Sequence, residues 1–325
     1  MSNFNYHHIE EAYKRIHSQI LKTPLVVSEY FNNLTKASVY FKLENLQWTG
    51  SFKLRGAINK IYQLNLDQKQ KGVVAYSSGN HAQAVAYASK INGMSAKIIM
   101  PENAPKIKIE NTKKYGAEVI LYNILNENRE EIGNKIARDE DRILIKPYDD
   151  LDIIAGQGTN GKEIAEELLK LNILPDMYLC CCGGGGLIAG TSTYLKYSFP
   201  NIKCYSVEPD NFDDTKMSLE ENSIKPVTKK LTSICDALLA RQPGDITFAI
   251  NRKTLIKGLS VSDEEVKNTI IQLAENLKLV VEPGGAVAAT ALLNKKIETN
   301  NKTIVVMISG GNIDNKLFSK IVRES

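Results

Sequence analysis

Along this chain the hydrophobic positions fall into short, nearly continuous runs separated by stretches with helical spacing. Val73-Val74-Ala75-Tyr76 is apolar throughout and reads as a strand buried on both faces. A glycine-containing turn follows, then the helix-forming run A-Q-A-V-A-Y-A-S-K from Ala82 to Lys90. Ala96 to Met100 gives the next strand and Pro101 ends it; a helical stretch runs on to Lys114, and Glu118 to Tyr122 gives a third strand. A β-α-β-α-β series at this spacing is the pattern of a parallel sheet. Further strands are expected at Met177 to Cys182, Lys203 to Val207 and Thr303 to Ile308. Ser262-Asp263-Glu264-Glu265 supplies a capping serine and first-turn acids for another helix.

The pattern predicts an α/β protein with two open, mostly parallel sheets, helices on both faces, and a cleft between the sheets. One lobe is expected to hold residues 73–147, the other to combine 1–72 with 148–325. No repeat with a period of roughly 20–50 residues is present, and no low-complexity linker.

Composition narrows the function classes. At 325 residues the chain is long enough for two lobes and a large core. Its 43% hydrophobic and 24% charged residues are those of an ordinary globular protein, which argues against disorder and against a membrane protein. The net charge of +4 is small and no basic stripe accompanies it, so no nucleic-acid partner is expected. Lysines such as Lys106 and Lys108 are read as solvated. No basic-then-apolar leader opens the chain, and no apolar run approaches the roughly 18 residues of a membrane span. Five cysteines, three of them adjacent at Cys180, Cys181 and Cys182, make a poor disulfide framework and fit a reducing cytoplasm. Neighbouring residues on a strand face opposite ways, so the triplet is a poor zinc site and is expected to pack inside a strand.

Four segments carry candidate chemistry. In T-G-S-F-K-L-R-G-A, Lys53 stands at the start of a predicted helix beside Phe52. A cation is the wrong charge for a helix N-terminus, but an electropositive, desolvated setting lowers a lysine pKa, as a nucleophilic amine requires. Gly183-Gly184-Gly185-Gly186-Leu187 lies between a strand and a helix, where uncovered backbone N–H groups suit a phosphate. Four glycines are more than a turn needs, at a cost of up to about 1 kcal/mol each relative to alanine. Ser77-Ser78-Gly79-Asn80-His81 also lies between a strand and a helix; its hydroxyls, amide and backbone donors suit a carboxylate. Ser309-Gly310-Gly311-Asn312 follows the strand that ends at Ile308, and alone would pass for a turn.

S-F-K-L-R-G-A, S-S-G-N-H-A-Q-A, G-G-G-G-L and S-G-G-N, in this order and spacing, resemble the pyridoxal-phosphate (PLP) dependent serine/threonine dehydratase and serine racemase family, with its tryptophan-synthase-β-like fold and its 3-hydroxyaspartate dehydratases. The resemblance covers essentially the whole chain. It implies PLP in the cleft between the two sheets, held covalently by Lys53, which also moves protons at the substrate α-carbon. It implies that Gly183, Gly184, Gly185 and Gly186, with Leu187 and Phe52, hold the cofactor, and that Asn80 bonds its 3-hydroxyl. Ser77, Ser78, Asn80 and His81 would grip the substrate carboxylate, and Ser309 would face the pyridine nitrogen. A serine there does not protonate the ring as an aspartate would, which favours prompt loss of a β-substituent over transamination. The cofactor phosphate would serve as acid for the departing hydroxyl. Glu282 in E-P-G-G-A is expected to support the ring.

The loop E-P-D-N-F-D-D from Glu208 to Asp214 would pass, on composition, for an acidic surface loop. The resemblance makes it a magnesium or calcium site built from Glu208, the Phe212 carbonyl and Asp214. It also implies a homodimer. The expected reaction is dehydration and deamination of a small β-hydroxy amino acid such as L-threonine or L-serine, giving a 2-oxo acid and ammonia. Ser78 is alanine in many plain threonine dehydratases but serine in serine racemases and 3-hydroxyaspartate dehydratases, where it is the acid/base on the cofactor face opposite the lysine. Against a racemase stand A-R-Q-P-G-D-I-T-F (Ala240 to Phe248), which resembles the bacterial dehydratases, Tyr148 in place of asparagine, and Ala237 where glycine is frequent. The short stretch after Ile308 leaves no room for a regulatory domain, so feedback by isoleucine is not expected.

Overall fold

The computed structural model describes residues 4–77, 79–228 and 232–323. The strands are β1 (Leu25–Val27), β2 (Ser38–Leu43), β3 (Val73–Tyr76), β4 (Ala96–Pro101), β5 (Glu118–Tyr122), β6 (Ile143–Leu144), β7 (Met177–Cys181), β8 (Lys203–Pro209), β9 (Leu255–Val261) and β10 (Thr303–Ile308). They form two sheets, one in the order β1-β2-β10-β7-β8-β9 and one in the order β5-β4-β3-β6. β1 runs antiparallel to β2, and every other pairing is parallel. The central strands explain themselves: Ile304 to Ile308 and Tyr178 to Cys180 are buried without alternation, as parallel strands covered on both faces must be. All five cysteines are free and buried, and three pack within or at the end of β7. Ser262 caps the helix Asp263–Leu277 through a reciprocal pair with Glu265, as its sequence predicted.

The helix Leu151–Lys170 does the most to position the cleft. Asp150 caps it by accepting from the Asp152 and Ile153 amides. Its small residues let two other helices lie against it. A Cβ on Gly156 would come within 2.6 Å of the Arg55 carbonyl and of the Gly56 backbone; one on Gly161 would meet the Thr191 carbonyl at 2.7 Å. The first neighbour is the helix Lys53–Tyr62, the second the helix Gly186–Ser198. One long helix thus sets the spacing between the element that starts at Lys53 and the element that starts at the glycine loop. Among the described residues no helix is long and apolar enough to cross a membrane.

Candidate active site

Between the carboxyl ends of the two sheets lies a cleft of about 810 Å³. Phe52, Lys53, Ser77, Asn80, His81, Gly183, Gly184, Gly185, Gly186, Leu187 and Ser309 all line it. Ser78 lies outside the described residues. Lys53 opens its helix, as expected, and its Nζ donates to the Pro147 carbonyl at 2.7 Å. Burial pushes its pKa down from 10.5 to about 8, so about a tenth of the amine is unprotonated at pH 7, far more than for an ordinary lysine. Cys181 lines the same cleft.

The glycines answer to different demands. Gly185 caps the helix Gly186–Ser198 at φ +92°, in the left-handed region that favours glycine. At Gly184 a Cβ would run into the ring of Tyr148. The turn is therefore shaped both by its neighbours and by its bare backbone. The helix behind it leaves its first N–H groups beside the cleft, a setting suited to phosphate.

Opposite, Ser77 Oγ accepts from the Gly79 amide at 3.1 Å, and the helix Asn80–Ile91 starts at once. His81 Nε2 lies 3.0 Å from the Ile145 carbonyl, which can only accept, so that nitrogen carries the proton. Burial, then the Lys53 charge, push the His81 pKa from 6.5 down to about 3. The ring is neutral and its Nδ1 is a buried, unpartnered acceptor. It cannot donate to a carboxylate through Nδ1; the donors available to one here are the hydroxyl of Ser77, the Asn80 amide and the first backbone N–H groups of the helix. Asn80 is held at both ends: its Nδ2 donates to Glu282, and its Oδ1 accepts from Asn312 Nδ2 at 2.9 Å. Ser309 is buried and its carbonyl receives the Phe52 amide at 3.1 Å.

One expectation fails. Lys106 is exposed, but Lys108 is 1% exposed, with its Nζ 2.7 Å from Asp236 and 3.1 Å from Glu282 inside the cleft. Charge and a polar neighbourhood suggested solvent; the two carboxylates, both distant in sequence, decide otherwise. The one local signal was its place in a helical first turn, where a cation is disfavoured and needs partners.

Within the acidic loop Glu208, Phe212 and Asp214 are buried, whereas Asp210 and Asn211 are exposed. Both Glu208 oxygens accept backbone amides, from Thr215 at 2.9 Å and Lys216 at 2.8 Å. Asp214 is fully buried and neither carboxylate oxygen has a protein partner. Phe212 lines the cleft, whereas Glu208 and Asp214 do not. Among the described residues no group of three or more His, Cys, Asp or Glu side chains gathers as a metal site. The set here has two such side chains, the third expected ligand being a carbonyl.

The sequence model of the family described as "Pyridoxal-phosphate dependent enzyme" matches residues 16–310. The L-threo-3-hydroxyaspartate ammonia-lyase of Saccharomyces cerevisiae is 39% identical over 98% of this chain and 96% of its own. The serine racemase of Schizosaccharomyces pombe is also 39% identical, over 98% and 97%. A solved threonine deaminase, from the source abbreviated T.th., superposes with a TM-score of 0.91 at 36% identity, covering 96% of this chain and 99% of that one. The residues fit the cofactor that these relatives imply: a desolvated lysine amine, a bare-backbone turn at a helix N-terminus, and an oriented amide share one cleft. The chain belongs to the pyridoxal-phosphate-dependent enzyme family, among its ammonia-lyases and amino-acid racemases.

Proposed function

We propose that the protein is a PLP-dependent ammonia-lyase that converts a small β-hydroxy amino acid, L-threonine or L-serine, to a 2-oxo acid and ammonia. The observation that carries this reading is the Lys53 amine, lowered to about 8 in a cleft that pairs a glycine-lined helix start with a second, hydroxyl-bearing one. Bound PLP supplies an electron sink that makes the α-hydrogen of a joined amino acid acidic. Lys53 Nζ is the base that takes this hydrogen from the α-carbon. Gly183 to Gly186 hold the phosphate through backbone N–H groups. Ser77, Asn80 and the N-terminus of the helix Asn80–Ile91 orient the carboxylate, and His81 braces that helix against the Ile145 carbonyl. Ser309 faces the ring nitrogen without protonating it. The α-proton and the β-hydroxyl are lost together as water, and the freed enamine then takes up water to give the 2-oxo acid and ammonia.

A second reading, action on 3-hydroxyaspartate, draws support from Arg129. It lines the cleft with its guanidinium 5.7 Å over the Tyr76 ring and could receive a second carboxylate. Racemase activity depends on Ser78 as the second acid/base. Magnesium or calcium is proposed at Glu208, the Phe212 carbonyl and Asp214, as a structural or activating ion; the unpartnered Asp214 oxygens support it. The division into a smaller unit, 73–147, and a larger one, 1–72 with 148–325, is proposed from the membership of the two sheets. A homodimer is supported by Tyr30 and Leu34, exposed one turn apart on the helix Glu29–Thr35. The five free, buried thiols suit the cytoplasm.

The test is to incubate the PLP-loaded protein with L-serine, L-threonine, D-serine and both 3-hydroxyaspartates, with magnesium and with a chelator. Oxo-acid formation and the chirality of remaining substrate are followed together. Oxo acid with retained chirality supports the lyase. Chirality lost ahead of oxo acid supports the racemase, and Ser78→Ala should then abolish racemization while sparing L-substrate elimination. Turnover confined to 3-hydroxyaspartate and lost in Arg129→Gln favours the second reading.

A further inference from the structure

Lys108 belongs to one side of the cleft and its partners to the other. It stands in the first turn of the helix Lys106–Lys114, which packs on the helix Asn80–Ile91 and on β5 of the four-stranded sheet. Asp236 opens the short turn Asp236–Leu238, and Glu282 immediately precedes the helix Pro283–Leu293, which packs on strands of the six-stranded sheet. The ammonium reaches both carboxylates, at 2.7 Å and 3.1 Å. Burial works to lower the Lys108 pKa, and Glu282 and Asp236 raise it by more, so the group stays charged inside the cleft. Its methylene stem passes directly over Gly79, where any Cβ would collide with it.

The contacts continue past Glu282. One carboxylate oxygen meets Lys108; the other accepts from Asn80 Nδ2. Asn80 Oδ1 accepts from Asn312, which also donates to the Thr49 carbonyl at 2.9 Å. An amide fixed by an acceptor at one end and a donor at the other cannot exchange its ends, and it keeps a second N–H for a ligand. Glu282 acts as that acceptor, and Lys108 is the cation that compensates its buried charge.

We propose that Lys108 is a positioning residue. Its ion pairs across the cleft clamp Gly79 to His81 in the geometry that receives the amino-acid carboxylate, and through Glu282 it fixes the Asn80 amide. The proposal rests on the reaction proposed above for what that segment binds.

The test uses the PLP-loaded protein with Lys108→Met, which keeps the stem and removes the charge, Lys108→Arg, which keeps the charge, and Asp236→Asn. Steady-state kinetics separate KM from kcat, and hydrogen–deuterium exchange follows the amides of residues 79–84 without substrate. Lys108→Met should raise KM at least about tenfold, or about 1.4 kcal/mol, with kcat changed less than about threefold. Exchange over 79–84 should quicken by a similar factor, and Lys108→Arg should restore both. An unchanged KM, a loss confined to kcat, or no recovery in a folded Lys108→Arg protein would overturn the proposal. If Lys108→Met does not fold, Asp236→Asn carries the test, and normal exchange and KM there overturn it equally. The exchange measurement needs no turnover, so a failed clamp and a wrong reaction give different results.

Discussion

Arg55 stands two residues beyond Lys53 on the same helix. It is fully buried with Lys42, Glu44 and Glu163, a set of two cations and two anions. Its guanidinium meets Glu44 at 2.8 Å through Nε and again through Nη2, and Glu163 at 2.7 Å through Nη1 and 2.8 Å through Nη2. Arg55→Met leaves Glu163 with Lys42 but strips Glu44 of its cation, with the Thr23 hydroxyl as a remaining donor. Removing one partner of a buried pair costs about 3–5 kcal/mol. At roughly 2 °C per kcal/mol, suited to a chain of this length, Tm should fall by about 6–10 °C. Glu44→Gln added to Arg55→Met removes the orphaned charge and leaves Lys42–Glu163 intact; it should recover about 1–3 kcal/mol. Urea unfolding of the three proteins beside the wild type measures this. An Arg55→Met protein within about 1 kcal/mol of wild type, or a double variant no better than the single, would refute the reasoning. The sign with pH is also fixed. Burial alone would raise the Glu163 pKa, but Arg55 and Lys42 hold it below the ordinary carboxylate value, so the contribution is present at neutral pH and is lost as pH falls through that lowered value.

Lys53 should add to PLP at a rate that rises with pH through about 8, because the free amine is the nucleophile; a cofactor-free protein whose reconstitution rate shows no inflection between about pH 7 and 9 would exclude the lowered value. His81 stays neutral in the fold down to about pH 3 while the unfolded chain takes up its proton near 6.5, so stability should fall by about 1.4 kcal/mol per unit as pH drops through that window, and His81→Gln should flatten the slope in urea titrations at pH 7 and 5. Gly184→Ala should cost about 1–3 kcal/mol by forcing its methyl against Tyr148, with partial recovery in Gly184→Ala/Tyr148→Ala, read from thermal melting and PLP affinity. If a divalent cation occupies the Glu208–Asp214 loop, magnesium or calcium should raise Tm in a concentration-dependent way that Asp214→Asn abolishes.

The strands that sequence reveals are those whose chemistry is local. β3 is a continuous apolar run, β4 and β5 carry one charged residue each at or next to their start (Lys97, Glu118) before an unbroken apolar run, and β10 is a bare T-I-V-V-M-I. β2 and β9 escape the same reading because Lys42 and Lys257 stand farther inside them, and Lys42 is tolerated there because Glu163, 121 positions away, pairs with it and the Thr23 carbonyl accepts from it. The site divides similarly. Lys53, the glycine turn, Ser77 to His81 and Ser309 are legible because each is a short motif at the junction of two elements. Lys108 is not: its bond to Asp236 spans 128 positions, and the Asn80 bonds to Glu282 and Asn312 span 202 and 232.

These long-range bonds also explain why the short motifs can be so sparse. A glycine turn supplies N–H groups but no rigidity, and an asparagine side chain alone can present either end of its amide to a ligand. Rigidity comes to the turn from the Tyr148 ring packed on Gly184, to Asn80 from Glu282 and Asn312, and to the helix of Lys53 from the Arg55 ion pairs. Each support is a buried polar or close-packed contact that fails sharply when one partner is removed, since the other is left desolvated or displaced. Substitutions two or more side chains from the cofactor should therefore alter its binding geometry, and those that exchange a charge for a neutral isostere should do so more than those that remove a methylene.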